Sequence, residues 1–166
     1  MGDIDMPSLG RALLRRAEEG DVEGARKLIA MGADVNYQGP WGYTALHHVA
    51  WKMRSSGVEI TKYLVNEAKA SVEIRSKEDG STPAINAAFW GNVDVLRVLL
   101  KDGKANVKAR NSLHNRTSLQ WAKNQGQHLC VAFLNLHERE PEFKRALQRD
   151  LDSLRMLHPS IIEAII

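Results

Sequence analysis

The chain has 166 residues, 43% of them hydrophobic and 26% charged, and carries a formal charge of +3. Such a length and composition suit one globular domain or one short repeat array, and so modest a charge does not point to nucleic acid, whose readers concentrate basic residues in a patch. A single cysteine, Cys130, excludes an internal disulfide and sets cytoplasm or nucleus as the expected location.

The opening decapeptide, MGDIDMPSLG, shows no basic and then apolar leader. No apolar run approaches the roughly 20 residues of a membrane-spanning helix. From there the chain repeats itself. RALLRRAEEGDVEGARKLIAMGADVN (11–36), TALHHVAWKMRSSGVEITKYLVNEAKASVE (44–73), TPAINAAFWGNVDVLRVLLKDGKANVK (82–108) and TSLQWAKNQGQHLCVAFL (117–134) start 33, 38 and 35 residues apart. Each unit reads as two short antiparallel helices. Thr44, Thr82 and Thr117 are N-cap residues, and Pro83 follows where a first-turn proline costs nothing. Ala50, Ala87, Ala88 and Ala122 keep the first helices slim enough to pack closely. Gly20, Ser56-Gly57, Gly91 and Gly126 mark the turns between the helices. The second helices carry apolar residues at helical spacing: Leu28/Ile29, Ile60/Leu64/Val65, Val95/Leu96/Leu99/Leu100 and Cys130/Val131/Leu134. Gly32 and Gly103 are stop signals, and a short alternating piece follows in GADVN, KASVE and KANVK. No unit buries its apolar face alone. Stacking makes one continuous core.

The period and the threonine signature resemble the ankyrin repeat family. The signature stands here as Thr44-Ala45-Leu46-His47-His48-Val49, Thr82-Pro83-Ala84-Ile85-Asn86-Ala87 and Thr117-Ser118-Leu119-Gln120-Trp121-Ala122, and GADVN matches the end of such a unit. The resemblance implies an all-α solenoid of about four helix-turn-helix units joined by finger-like β-turn loops. It covers residues 9–136, in units of about 9–40, 41–78, 79–113 and 114–136. The departures are specific. The first unit lacks the threonine signature, as an N-terminal cap would. About three extra residues near Met53 to Ser55 lengthen the turn of the second. Lys69 and Lys104 are inserted before their Ala-x-Val ends, and Asn115 replaces a glycine, a position asparagine tolerates in the left-handed conformation.

Residues 137–166 do not continue the repeat. Pro141 is expected to begin a helix whose apolar stripe is Phe143, Leu147, Leu151, Leu154 and Leu157. It reads either as a cap for the open end of the stack or as a partner-binding or dimerising helix. His158-Pro159 ends it, and the apolar tail SIIEAII packs back, binds something or marks a cut from a longer protein.

No catalytic constellation is legible: no glycine-rich phosphate loop, no nucleophile elbow. Cys130 falls on an apolar stripe and reads as a core thiol. His47 and His48 are adjacent, so they point about 100° apart on a helix and do not serve one metal. The family resemblance gives His47 the role of bracing neighbouring loops by hydrogen bonds. Lys101, Lys104, Lys108, Arg110 and Arg116 form a basic run that reads as a solvated face or a contact for an acidic partner. No enzyme, cofactor or metal is expected.

In the family the partner usually lies on the concave side, on the fingers and the outward part of the first helices. Mapped here, that surface comprises Glu18 and Glu19 of the first unit; Trp41, Tyr43, Trp51 and Lys52 of the second; Asp79, Ser81, Phe89 and Trp90 of the third; and His114, Arg116, Asn124 and Gln125 of the fourth. Leu46 and Ala50 share the core face, and Trp51 stands about 140° from Leu46. Trp41, Tyr43, Trp51, Phe89 and Trp90 are therefore expected to cluster across two units, and Trp121 is read as structural. Trp and Tyr dominate interface hot spots, and monomers seldom expose several together. The expected function is a non-enzymatic module binding a peptide or protein on this aromatic face. Alternatives are a reader of methyl-lysine or another cation, a regulatory or targeting fragment of a larger enzyme, and an inhibitor of another protein.

Overall fold

The structure, a computed structural model, describes residues 6–52 and 57–157, with the side chains of 8–51, 57–146, 148 and 149. The expected extra residues at Met53 to Ser55, the Lys52 side chain, and the tail after Leu157 lie outside the described residues.

Eight helices follow one another among the described residues: α1 (Met6–Glu19), α2 (Val22–Ala30), α3 (Ala45–Lys52), α4 (Gly57–Lys62, continuing as a π-helical turn over Tyr63–Glu67), α5 (Pro83–Trp90), α6 (Val93–Lys101), α7 (Ser118–Asn124) and α8 (His128–Leu157). The only β-pairing among them is an isolated antiparallel bridge between Arg110 and Thr117. The chain divides into two compact units, Met1–Leu134 and Asn135–Ile166.

The first unit is the helix-pair stack. Its first helices α1, α3, α5 and α7 lie side by side in chain order, and α2, α4 and α6 form the second layer. The small residues explain the close approach: Ala17, Ala50, Ala87, Ala88 and Ala122 are fully buried. Larger side chains fill the space between the layers, with Leu13, Leu46, Ile60, Leu64, Leu96, Leu99 and Leu134 all at most 1% exposed. Each such side chain contributes roughly 1.5–3 kcal/mol of burial. Ala33, Ala70 and Ala105 of the alternating pieces are buried too, which is why that register recurs. Lys69 (φ 59°) and Lys104 (φ 56°) turn the chain just before it.

The caps behave unequally. Thr82 accepts the N–H of Ile85, and Thr117 forms a full capping box with Gln120. The Thr44 hydroxyl instead lies 2.9 Å from His47 Nδ1.

One expectation is corrected. Pro141 does not begin a helix: α8 starts at His128 and runs through it. Cys130 and Leu134 anchor the first turns of α8 in the core, so the helix is already established when the proline arrives. A proline costs about 3 kcal/mol in a helix interior, and the flanking segment, rich in helix-forming Leu, Glu and Arg, continues past it. In the second unit Phe143 is exposed, and the side chains of Leu147, Leu151, Leu154 and Leu157 lie outside the described residues. No helix among the described residues is long and apolar enough to cross a membrane.

Candidate protein-interaction groove

The fingers are built by a ladder that climbs from one repeat to the next. Gln38 Nε2 donates to the Gly42 carbonyl at 2.8 Å and to the Arg75 carbonyl at 3.1 Å. One finger on, Arg75 Nη1 donates to the Gly80 carbonyl at 2.8 Å and to the Arg110 carbonyl at 2.6 Å. Arg110 then donates to the Asn115 carbonyl at 2.7 Å. Each turn tip is thus held by a side chain from its own base, whose own carbonyl is often held by the previous repeat. Gly42 (φ 74°) and Asn115 (φ 52°) are both left-handed, so the asparagine keeps the turn as expected. A Cβ on Gly42 would also lie 2.5 Å from the Lys77 nitrogen, because the neighbouring finger bonds there through Lys77 N–H to the Trp41 carbonyl at 3.0 Å.

His47 does what the family resemblance implied. Nδ1 faces the Thr44 N–H at 3.1 Å and must accept from it, so the proton sits on Nε2, which donates to the Ser81 carbonyl at 3.0 Å. The residue is 1% exposed. Burial pushes its imidazole down to about 4, which keeps it neutral in this role. His48 points elsewhere, with Nδ1 at 2.6 Å from Glu18 Oε1.

Between the fingers and the first helices runs a groove of about 870 Å³. Of the expected surface, Glu18, Trp41, Tyr43, Trp51, Asp79, Ser81, Phe89, Trp90 and His114 line it. Trp51 and Trp90 stack at 6.1 Å with planes 25° apart. Phe89 meets Trp90 edge-on at 5.0 Å and Trp121 at 5.1 Å, and Trp121 meets His114 at 5.2 Å. Trp51, Trp90, Phe89, Trp121 and His114 therefore form a continuous wall across three units, while of the other two aromatic residues expected in the cluster Tyr43 makes its ring contacts with His47 and His48 and Trp41 has no ring against it among the described residues. Trp41 is 65% exposed, Trp51 45% and Trp90 42%. Trp121 is buried with its indole N–H on Asn111 Oδ1 at 3.3 Å, so it is structural and yet forms part of the wall.

The polar lining differs from residue to residue. Tyr43 donates to Glu78 Oε2 at 2.6 Å, and burial followed by that carboxylate pushes the phenol's pKa well up. Burial works to raise the Asp79 carboxyl, but hydrogen bonds from the Ser76 and Ser81 hydroxyls (2.6 Å each), the Ser81 N–H (3.0 Å) and Asn111 outweigh it and hold the carboxyl below its ordinary range. Ser81 is itself buried. Both residues line the groove as parts of a finished turn.

Four expected positions stand outside the lining. Glu19 is held by Arg16 at 3.0 Å on the exposed end of α1. Arg116 lies over the Trp121 ring at 4.8 Å. Asn124 and Gln125 are exposed and bond each other at 3.1 Å. In their place the groove takes in Arg11, Arg15, Pro40, His48, Glu78, Asn86 and Leu113. A signal for three of the lining residues stands in the sequence: His48, Asn86 and Trp121 each lie four residues after the threonine of the signature, one helical turn in, on the side of α3, α5 and α7 that faces the fingers. Glu78 and Leu113 carry no such signal, since finger tips have no fixed periodicity. Among the described residues no three His, Cys, Asp or Glu side chains converge as metal ligands.

A stack of helix pairs with interlocked finger turns and a groove between fingers and helices defines a repeat solenoid. The model of ankyrin repeats (3 copies) matches residues 13–111 and 56–145, and the chain belongs to the ankyrin repeat family. Ankyrin repeats generally mediate protein–protein interaction, and domains built from them are typically non-enzymatic. The chain is also 39% identical over 90 residues to a protein named serine/threonine-protein kinase 12 of Arabidopsis thaliana. That match covers 54% of this chain and 18% of the kinase, so the chain spans under a fifth of that relative.

Proposed function

We propose that this ankyrin stack is a non-catalytic docking module that takes a segment of another protein into the groove between its fingers and its first helices. One observation carries the reading: three tryptophans 65%, 45% and 42% exposed line a single groove. Water-exposed indole is costly, and aromatic anchors in a concave site are the residues that dominate interface energetics. The test compares the wild type with a Trp51→Ala/Trp90→Ala variant in affinity capture from the host lysate, after both show the same Tm. Partners captured by the wild type and lost by the folded variant support the groove. Partners retained by the variant sink it.

The kinase relative supports a second, wider reading: a repeat stack of this kind serves as the targeting part of a larger enzyme, with the chemistry outside residues 1–166. The full-length transcript decides it, since a reading frame without a catalytic domain would remove this alternative.

A further inference from the structure

We propose that the occupant of the groove is an extended peptide segment carrying an arginine, with the guanidinium received between the Trp41 indole and the Glu78 carboxylate. The inference rests on the docking reading above and names the chemistry of the partner.

Its ground is a mismatch of charge and of ring contacts inside the groove. Near α1 the lining holds the cations Arg11 and Arg15, and its carboxylate is matched, with Glu18 on His48 at 2.6 Å. In the finger half the carboxylates are not. Glu78 and Asp79 are neighbours on one turn, and neither has a cationic partner among the described residues. Asp79 spends its oxygens on its own turn. Glu78 is exposed and accepts only the Tyr43 hydroxyl among the described residues, which leaves one carboxylate oxygen open. The Trp41 ring is equally unfinished: the other three tryptophans have ring partners, whereas Trp41 has neither a ring nor a cation against it among the described residues. The turns that carry the two are tied together by the Lys77 N–H on the Trp41 carbonyl at 3.0 Å and by Tyr43 on Glu78 at 2.6 Å. An exposed indole and a carboxylate without a cation, lining one groove on adjoining finger turns, fit a planar cation that stacks on one and forks to the other, which is the geometry of arginine rather than lysine. Among the described residues the molecule already pairs arginine with aromatic rings three times, Arg116 over Trp121 at 4.8 Å, Arg26 over Tyr63 at 4.6 Å and Arg97 over Phe133 at 5.7 Å.

The experiment is selection of a random 12-residue peptide library on phage against the full chain, with the Trp51→Ala/Trp90→Ala variant as the counter-screen. The expected result is peptides that bind only the wild type and share an arginine at one fixed position. Synthetic copies of them should bind about tenfold more weakly to Glu78→Gln and to Trp41→Ala, and several-fold more weakly when that arginine is lysine. Groove-dependent peptides without a basic residue, or Glu78→Gln binding as the wild type does, overturn the arginine while leaving the docking groove standing. A selection that returns no peptide dependent on Trp51 and Trp90 overturns both.

Discussion

The second and third fingers make the same turn, the third with a side-chain network that the second lacks. In the second, residues 39–43, main-chain bonds do the work: Gly39 N–H to the Tyr43 carbonyl and Gly42 N–H to the Gly39 carbonyl, both at 2.9 Å, with Gln38 bracing from the base. No side chain at the tip is needed, and Trp41 is left 65% exposed. In the third, residues 76–81, the same main-chain bonds recur, Ser76 N–H to the Ser81 carbonyl at 2.9 Å and Gly80 N–H to the Ser76 carbonyl at 3.2 Å, and side chains are added to them: Asp79 gathers Ser76 and Ser81. A turn held by its backbone alone leaves its side chains for a partner, whereas a turn that adds its side chains to the backbone consumes Ser76, Asp79 and Ser81 and leaves Glu78 at its tip. Polar residues at a finger tip are therefore poor guides to binding, because the turn claims them first.

The largest effect should come from removing the centre of the side-chain-held finger. Asp79→Ala takes the acceptor from the Ser76 and Ser81 hydroxyls, leaves the Ser81 N–H only its longer bond to Ser76 Oγ at 3.2 Å, and leaves Asn111, which holds the Trp121 indole, without one of its partners. We expect about 3 kcal/mol of lost stability in urea unfolding, and a loss under 1 kcal/mol would show the finger to be held by its backbone like its neighbour.

Next comes acid, because His47 bridges the two fingers through the Thr44 N–H and the Ser81 carbonyl. Its folded pKa, about 4, lies below the ordinary 6.5, so the unfolded chain binds the proton first and stability falls as pH drops from about 6.5 towards 4. That is about 2 kcal/mol at pH 5. Asp79 shifts below its ordinary value, so its contribution is lost only as pH falls through that lower range and does not explain the His47 window. Unfolding curves at pH 7 and pH 5 should show this slope in the wild type and not in His47→Gln. Equal slopes would mean that the bridge does not control acid stability.

The smallest stability effect belongs to the backbone-held finger. Trp41→Ala should change stability by less than about 0.5 kcal/mol, as for a surface residue away from the core. A larger loss in thermal unfolding would mean that the indole holds the turn after all, and the contrast between the fingers would collapse.

Much of this was legible in the residues. A period near 35, threonine caps, small residues on the first helices and apolar pairs on the second carry the helix-pair stack, because repetition and periodicity are local properties of a chain. The left-handed Asn115 and the bracing His47 followed in the same way, each tied to a position in the unit. Pro141 misled because a proline is read as a helix start from its neighbours alone, whereas α8 is seeded upstream by the burial of Cys130 and Leu134 in the core. The Trp51–Trp90 stack was expected only as proximity. Its extension from Phe89 to Trp121, the engagement of Glu18 by His48, and the pairing of Tyr43 with Glu78 join residues 30 to 40 positions apart. Such contacts depend on how one repeat is rotated against the next, and that rotation is set by the packing of whole helices. The residue types that line the groove are written in the sequence. Which of them face the groove, and which are consumed in building it, is decided by stacking.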